Sequence, residues 1–112
     1  MTSMTVMLLD GIPYGPVKVT SSDANAALPA AVVTESVYTA NTRNAIRVII
    51  TCEDNPIRYG FGIIPVQGAA GHILYPGSSI VLGHPQAISL FRYINLANAA
   101  NAVLQITGEY GA

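Results

Sequence analysis

The sequence contains no tryptophan, one cysteine and one lysine, and charged residues make up only 10% of its 112 positions. Each shortage removes a class of explanation. With Lys18, Arg43, Arg47, Arg58 and Arg92 scattered singly and a net charge of −1, the chain lacks the basic patch that nucleic acid or an anionic membrane would require. One cysteine excludes an internal disulfide. No apolar run reaches the roughly 18 residues of a membrane helix, and the opening MTSMTVMLLDGIPYG has neither a basic start nor the apolar length of a signal peptide. These features lead us to expect a soluble protein made in a cytoplasm.

Nor are the parts of a catalytic centre assembled in any familiar spacing. His72 and His84 lie twelve apart with no His-x-His or His-x3-His pair, so the sequence offers no metal site and implies no cofactor. A Cys–His nucleophile would need an accessible thiolate, yet Cys52 sits in an apolar strand pattern and is expected to point into the core. Neighbouring Glu53 and Asp54 would project to different sides of a strand or corner, which does not suit paired-carboxylate glycosidase chemistry. Phosphate-cradling glycine motifs and the Gly-x-Ser-x-Gly elbow are missing as well. The chain reads as a non-enzyme.

What is present is β-patterned sequence punctuated by turns. The length fits one domain, residues 1–112, able to bury a core without staples. Apolar residues run over Met4–Leu9, ending at Asp10-Gly11, and residues 1–14 read as an N-terminal arm or edge strand. Val17 and Val19 alternate with Lys18 and Thr20. Ala24–Ala31, broken by Pro29, reads as a loop or one helical turn, and Val32–Ala40 as a β-branched strand. In Ala45–Cys52 the set Ile46, Val48, Ile50 and Cys52 is expected to face the core. Glu53 to Pro56 forms a corner, after which Ile57, Tyr59 and Phe61 point inward and Arg58 outward. Tyr75-Pro76-Gly77 suits a type II turn, with the His72 ring expected to bond backbone near it; His84 reads as a solvated turn residue. Strands follow at Ser79–Leu82, Ala87–Asn95 and Asn101–Tyr110, the last with Ala102, Leu104 and Ile106 alternating. About eight short antiparallel strands with turns every eight to twelve residues predict an all-β, single-domain β-sandwich of jelly-roll type.

The apolar run Ile63-Ile64-Pro65-Val66 lies among Gly60, Gly62, Gly68 and Gly71 and contains a proline, so it suits an edge or loop better than a central strand. Phe61, Ile63, Ile64, Pro65 and Val66, with Met4, Val6, Leu8 and Tyr14 of the N-terminal arm, are the candidate partner-binding residues. Cys52, Pro56, Arg58, His72, Pro76 and Gly77 are expected to be structural, Arg58 by pairing with Glu53, Asp54 or a loop carbonyl, or across a subunit boundary. A 51% hydrophobic chain with so little charge either solvates itself through Thr, Ser, Asn and Gly or has a surface that partner subunits would cover, and a single lysine fits the second pattern.

Thr51-Cys52-Glu53, Pro56-Ile57-Arg58-Tyr59, the run Gly71 to Leu82, Ala87-Ile88, Phe91-Arg92-Tyr93-Ile94 and Leu104-Gln105-Ile106-Thr107 together resemble small virion-associated proteins of tailed bacteriophages. The resemblance spans residues 45–107 and leaves out the first 44. Within that group the size and uncharged surface are most similar to jelly-roll decoration, or cement, proteins. It implies a location on the outer capsid surface after synthesis in the host cytoplasm, the major capsid protein as partner, self-association into a dimer or trimer, and no catalysis. A tail or head-fibre accessory module and a carbohydrate-binding module are the alternatives; the second would want exposed aromatic platforms, and without tryptophan only six tyrosines could supply them.

Overall fold

The computed structural model describes residues 12–35 and 43–111. The expected strand over Met4–Leu9, the candidate contacts Met4, Val6 and Leu8, and much of the expected Val32–Ala40 strand lie outside them.

Among the described residues eight strands run β1 (Ile12–Thr20), β2 (Thr34–Glu35), β3 (Arg43–Glu53), β4 (Ile57–Phe61), β5 (His72–Leu74), β6 (Ser79–Leu82), β7 (Phe91–Asn95) and β8 (Val103–Tyr110). One sheet has the order β1-β8-β3-β6, with two-residue β2 also pairing with the start of β3; the other is β5-β4-β7. The second sheet is extended by an antiparallel bridge in which Ala26 and Tyr93 exchange backbone hydrogen bonds of 2.9 and 3.0 Å. Rolling up one long hairpin would pair its first strand with its eighth, second with seventh, third with sixth and fourth with fifth. With the Ala26 segment standing as the second strand and the two-residue β2 set aside, all four pairings are present: β1 with β8, the Ala26 bridge with β7, β3 with β6, and β4 with β5. The chain is therefore a jelly-roll β-sandwich.

Alternation builds the core. Ala102, Leu104 and Ile106 from the β8 region, Val48, Ile50 and Cys52 from β3 and Leu82 from β6 are buried, as are Ile57, Leu74, Phe91 and Tyr93 of the facing sheet. Leu28, Val32 and Ile88 of the connections join the same cluster. The fully buried Tyr110 donates its hydroxyl to the carbonyl of Val32, so β8 holds the short helix α1 (Ala30–Val33) in place.

The Tyr75–Ser78 turn forms as expected: Ser78 N–H donates to Tyr75 O at 3.1 Å, and Gly77 takes φ +85°, which only glycine adopts without strain. Gly77 N–H also donates to Cys52 O at 2.8 Å, tying the turn to β3. At the preceding corner Asp54 has φ +67°, a conformation its short polar side chain tolerates.

Several expectations are corrected. A register shift between Ala45 and Arg47 where β3 meets β8 inserts an extra residue, so Ala45 is buried and Ile46 is 41% exposed, while Val48, Ile50 and Cys52 keep their inward faces. The expected strand Ala87–Asn95 is helix α2 (Pro85–Leu90) followed by β7. Pro85 occupies the first turn, where its missing N–H costs nothing, and His84 is the cap, its Nδ1 accepting from Gln86 N–H at 3.0 Å. Of the expected Val32–Ala40 strand, the described residues begin in α1 and enter strand at Thr34–Glu35. Of the two readings open for residues 1–14, arm or edge strand, Tyr14 lies in edge strand β1, opposite Gly108, and packs half-buried against the core. His72 does not pin the Pro76-Gly77 turn. It pairs in β5 with Tyr59, with the two rings 5.5 Å apart. Glu109, a carboxylate in the last strand whose burial no local pattern announces, is buried 3.4 Å from the Arg47 guanidinium.

Candidate functional site

The inward row of β4 begins at fully buried Ile57 and ends at the rim of the sandwich, where Phe61 is 40% exposed. There the rings of Tyr59, Phe61, Phe91 and Tyr93 form one cluster: Tyr59 stacks on Phe91 at 5.6 Å, and Phe61 meets Phe91 edge-on at 5.8 Å. Offset and edge-on pairs at these distances are the arrangements aromatic quadrupoles favour. Beyond Phe61 the chain leaves the sheet as a loop of residues 62–71 that returns to β5.

That loop is tied at its feet and closed at its tip. Gly62 N–H donates to Leu90 O at 3.0 Å, and Arg58 Nη1 to Gly71 O at 2.9 Å, so of the readings open for Arg58 its partner is a loop carbonyl. The Arg58 side chain lies across Gly71, where an added Cβ would sit 2.5 Å from Arg58 Cγ and where φ is +123°. Arg58 Nε is buried without a hydrogen-bond partner. Val66 and Ala70 form an antiparallel bridge at the tip.

Although fixed, the loop presents apolar side chains to water: Ile63 is 70% exposed, Ile64 59% and Val66 50%. Leaving an isoleucine in water forgoes about 1.5–3 kcal/mol of burial free energy, so an ordered loop that does this repeatedly is unusual for a bare surface. Pro65 is the correction to the expected set. It is fully buried, plugging the loop onto the domain instead of facing a partner. Leu90, at the end of α2 and 42% exposed, adds to the patch, and with Gly62, Ile63, Ile64 and Arg92 it lines a recess of about 240 Å³. Arg92 is occupied locally, donating to Ser89 O and Phe91 O. A wider cleft of about 400 Å³ opens inside the loop, walled by Tyr59, Phe61, Ile63, Pro65 and His72, with Gly60, Ala70 and Gly71 along its floor and edges.

The loop tip is fastened to the body by Asp23, which the sequence did not single out. Gln67 Nε2 donates to Asp23 Oδ1 at 2.8 Å, Asn95 Nδ2 to the same oxygen at 3.0 Å, and Ala99 N–H to both carboxylate oxygens at 3.0 and 3.1 Å. Asn95 is itself buried, accepting from the Ser21 hydroxyl and donating to Asn101 Oδ1 at 2.7 Å. From sequence, Ser21, Asp23 and Ala99 read as loop residues, and Asn95 and Asn101 as the ends of expected strands. The Ala99 N–H first, then the Gln67 and Asn95 amides, hold the Asp23 carboxyl below the usual aspartate value. A carboxyl with a depressed folded pKa contributes its stabilisation above the unfolded pKa and loses it as pH falls through the folded one. The Ala99 amide and Gln67 side-chain amide resonances should therefore be constant from about pH 5 upward and titrate together below the ordinary aspartate value. An inflection at or above that value would contradict the bonded carboxylate.

Chemistry elsewhere is quiet. Cys52 is buried, its thiol 3.1 Å from Asn55 O; burial, and after it the charges of Asp54 and Glu53, pushes its pKa up, away from nucleophilic use. Among the described residues no three His, Cys, Asp or Glu side chains converge as metal ligands. No described helix is long and apolar enough to cross a membrane.

No protein-family model matches this chain, and no curated protein or solved structure matches it either.

Proposed function

We propose that the protein is a non-enzymatic structural component of a phage particle, docking on the outside of the assembled capsid and bridging neighbouring major capsid protein subunits. The observation that carries this reading is the apolar loop of Ile63, Ile64 and Val66, held in one shape and left open to water. The jelly-roll fold agrees with the resemblance over residues 45–107, and the scarcity of surface charge suits a protein covered by neighbours. A protein that binds the assembled shell and not its free subunits shifts the equilibrium toward the shell. Self-association into a dimer or trimer would let each copy span a capsomer boundary.

The cleft beside the loop, with Tyr59, Phe61 and His72 on its walls, favours one other reading, a carbohydrate-binding module. Mixing the protein with heads assembled without it, and separately with a glycan panel, separates the two. Co-sedimentation with heads and none with free capsid subunits is the expected result. Retention on a glycan together with failure to pellet with heads would overturn the capsid reading.

A further inference from the structure

The loop of residues 62–71 holds its shape without cover, and the bonding around Asp23 explains how. Phe61 pairs with Phe91 at one end of β4 and β7, and Ile57 pairs with Asn95 at the other. Asp23 is bonded to Asn95, so the Gln67–Asp23 hydrogen bond draws the loop tip back along the length of the strand, about 13 Å at ~3.3 Å per residue. Both feet of the loop are fixed by Leu90 O and Arg58, and the tip closes on itself through Val66 and Ala70. Among the described residues, Gln67 to Asp23 is the one side-chain hydrogen bond from tip to body. Asp23 is held rigidly in turn, since Ala99 N–H spans its two oxygens and Asn95, fully buried, uses its amide group on Asp23 and Asn101.

We propose that Asp23, acting through Gln67, is the positioning residue that keeps this loop in its docking shape. Asp23 touches no partner in this scheme; its part is preorganisation. A loop already fixed loses little conformational freedom when it meets a partner, whereas a freed one must be ordered again at that moment. The inference rests on the loop being the docking surface.

Hydrogen exchange at the loop amides and affinity for assembled heads, measured on the full chain, test the two halves separately. In Gln67→Ala, exchange at Val66, Ala69 and Ala70 should accelerate about three- to tenfold while Ala99 stays protected and the unfolding midpoint holds. Head affinity should fall by a similar factor. In Asp23→Ala, the loop amides and Ala99 should loosen together. Unchanged loop exchange in Gln67→Ala would overturn the positioning role, as would faster exchange with undiminished head affinity. If wild-type protein does not bind heads at all, the docking reading fails by itself, and the exchange data still decide whether Asp23 fixes the loop.

Discussion

Replacing Phe91 by alanine is expected to lower unfolding stability by about 3–5 kcal/mol, the usual cost of truncating a fully buried phenylalanine. Three features place Phe91 at the high end. Its side chain is fully buried, so the hole left behind is sealed from water. Its ring is the hub of the cluster, stacked on Tyr59, edge-on to Phe61 and 6.0 Å from Tyr93, so truncation strips partners from three other rings. It is also the residue at which α2 ends and β7 begins, and slack there reaches the Leu90 carbonyl that holds Gly62. A domain of this size has about 5–15 kcal/mol of stability in all, so the variant should be marginal at 37 °C. Denaturant unfolding followed by far-ultraviolet circular dichroism measures the loss, with Phe91→Leu as the control expected to retain most of it. A change under about 1 kcal/mol would mean that the cluster is not packed as described.

Much of this core was legible because a two-residue period needs only local information. Ala102, Leu104 and Ile106 face inward as their alternation predicts, and the Pro76-Gly77 turn and the Glu53–Pro56 corner fall where their φ requirements put them. The failures have physical causes beyond local pattern. One extra residue at the β3 bulge reverses the face of Ile46, and nothing in a run of β-branched side chains announces a bulge. Pro85 suits a first helical turn, but His84 is not among the residues that ordinarily announce a cap, and a six-residue helix next to a β-rich stretch is outweighed by the strand pattern around it. Strand order stayed closed to sequence because it depends on pairings such as β1 with β8, whose partners are far apart in the chain.

The exposed loop of residues 62–71 divides along the same line. Its composition announced an exposed apolar segment, and Ile63, Ile64 and Val66 are exposed. Pro65 is buried, and Gln67 and Asp23 matter, only because the loop folds back onto the sheet, a tertiary event that neighbouring residues do not encode. Leu90 falls inside the expected strand Ala87–Asn95; as the last residue of α2 it stands beside Ile63 and Ile64.

The paired substitution Ile63→Asp with Ile64→Asp should abolish binding to assembled heads while leaving the fold intact. Each isoleucine buried in an interface is worth about 1.5–3 kcal/mol, and an aspartate in its place would carry an unpaired charge into a desolvated contact. At 1.4 kcal/mol for each tenfold change, the pair should weaken affinity by at least about a hundredfold. Stability should hold within roughly 0.5 kcal/mol, because both side chains already face water and fill no core position. Val81→Asp supplies the comparison: Val81 is 43% exposed on β6, in the opposite sheet, and its loss should leave head binding unchanged. Co-sedimentation across a concentration series, with unfolding midpoints for each variant, distinguishes the outcomes. Binding that survives the loop substitutions and disappears with Val81→Asp would move the docking face to the β1-β8-β3-β6 sheet, and the ordered apolar loop would then need another partner to explain it.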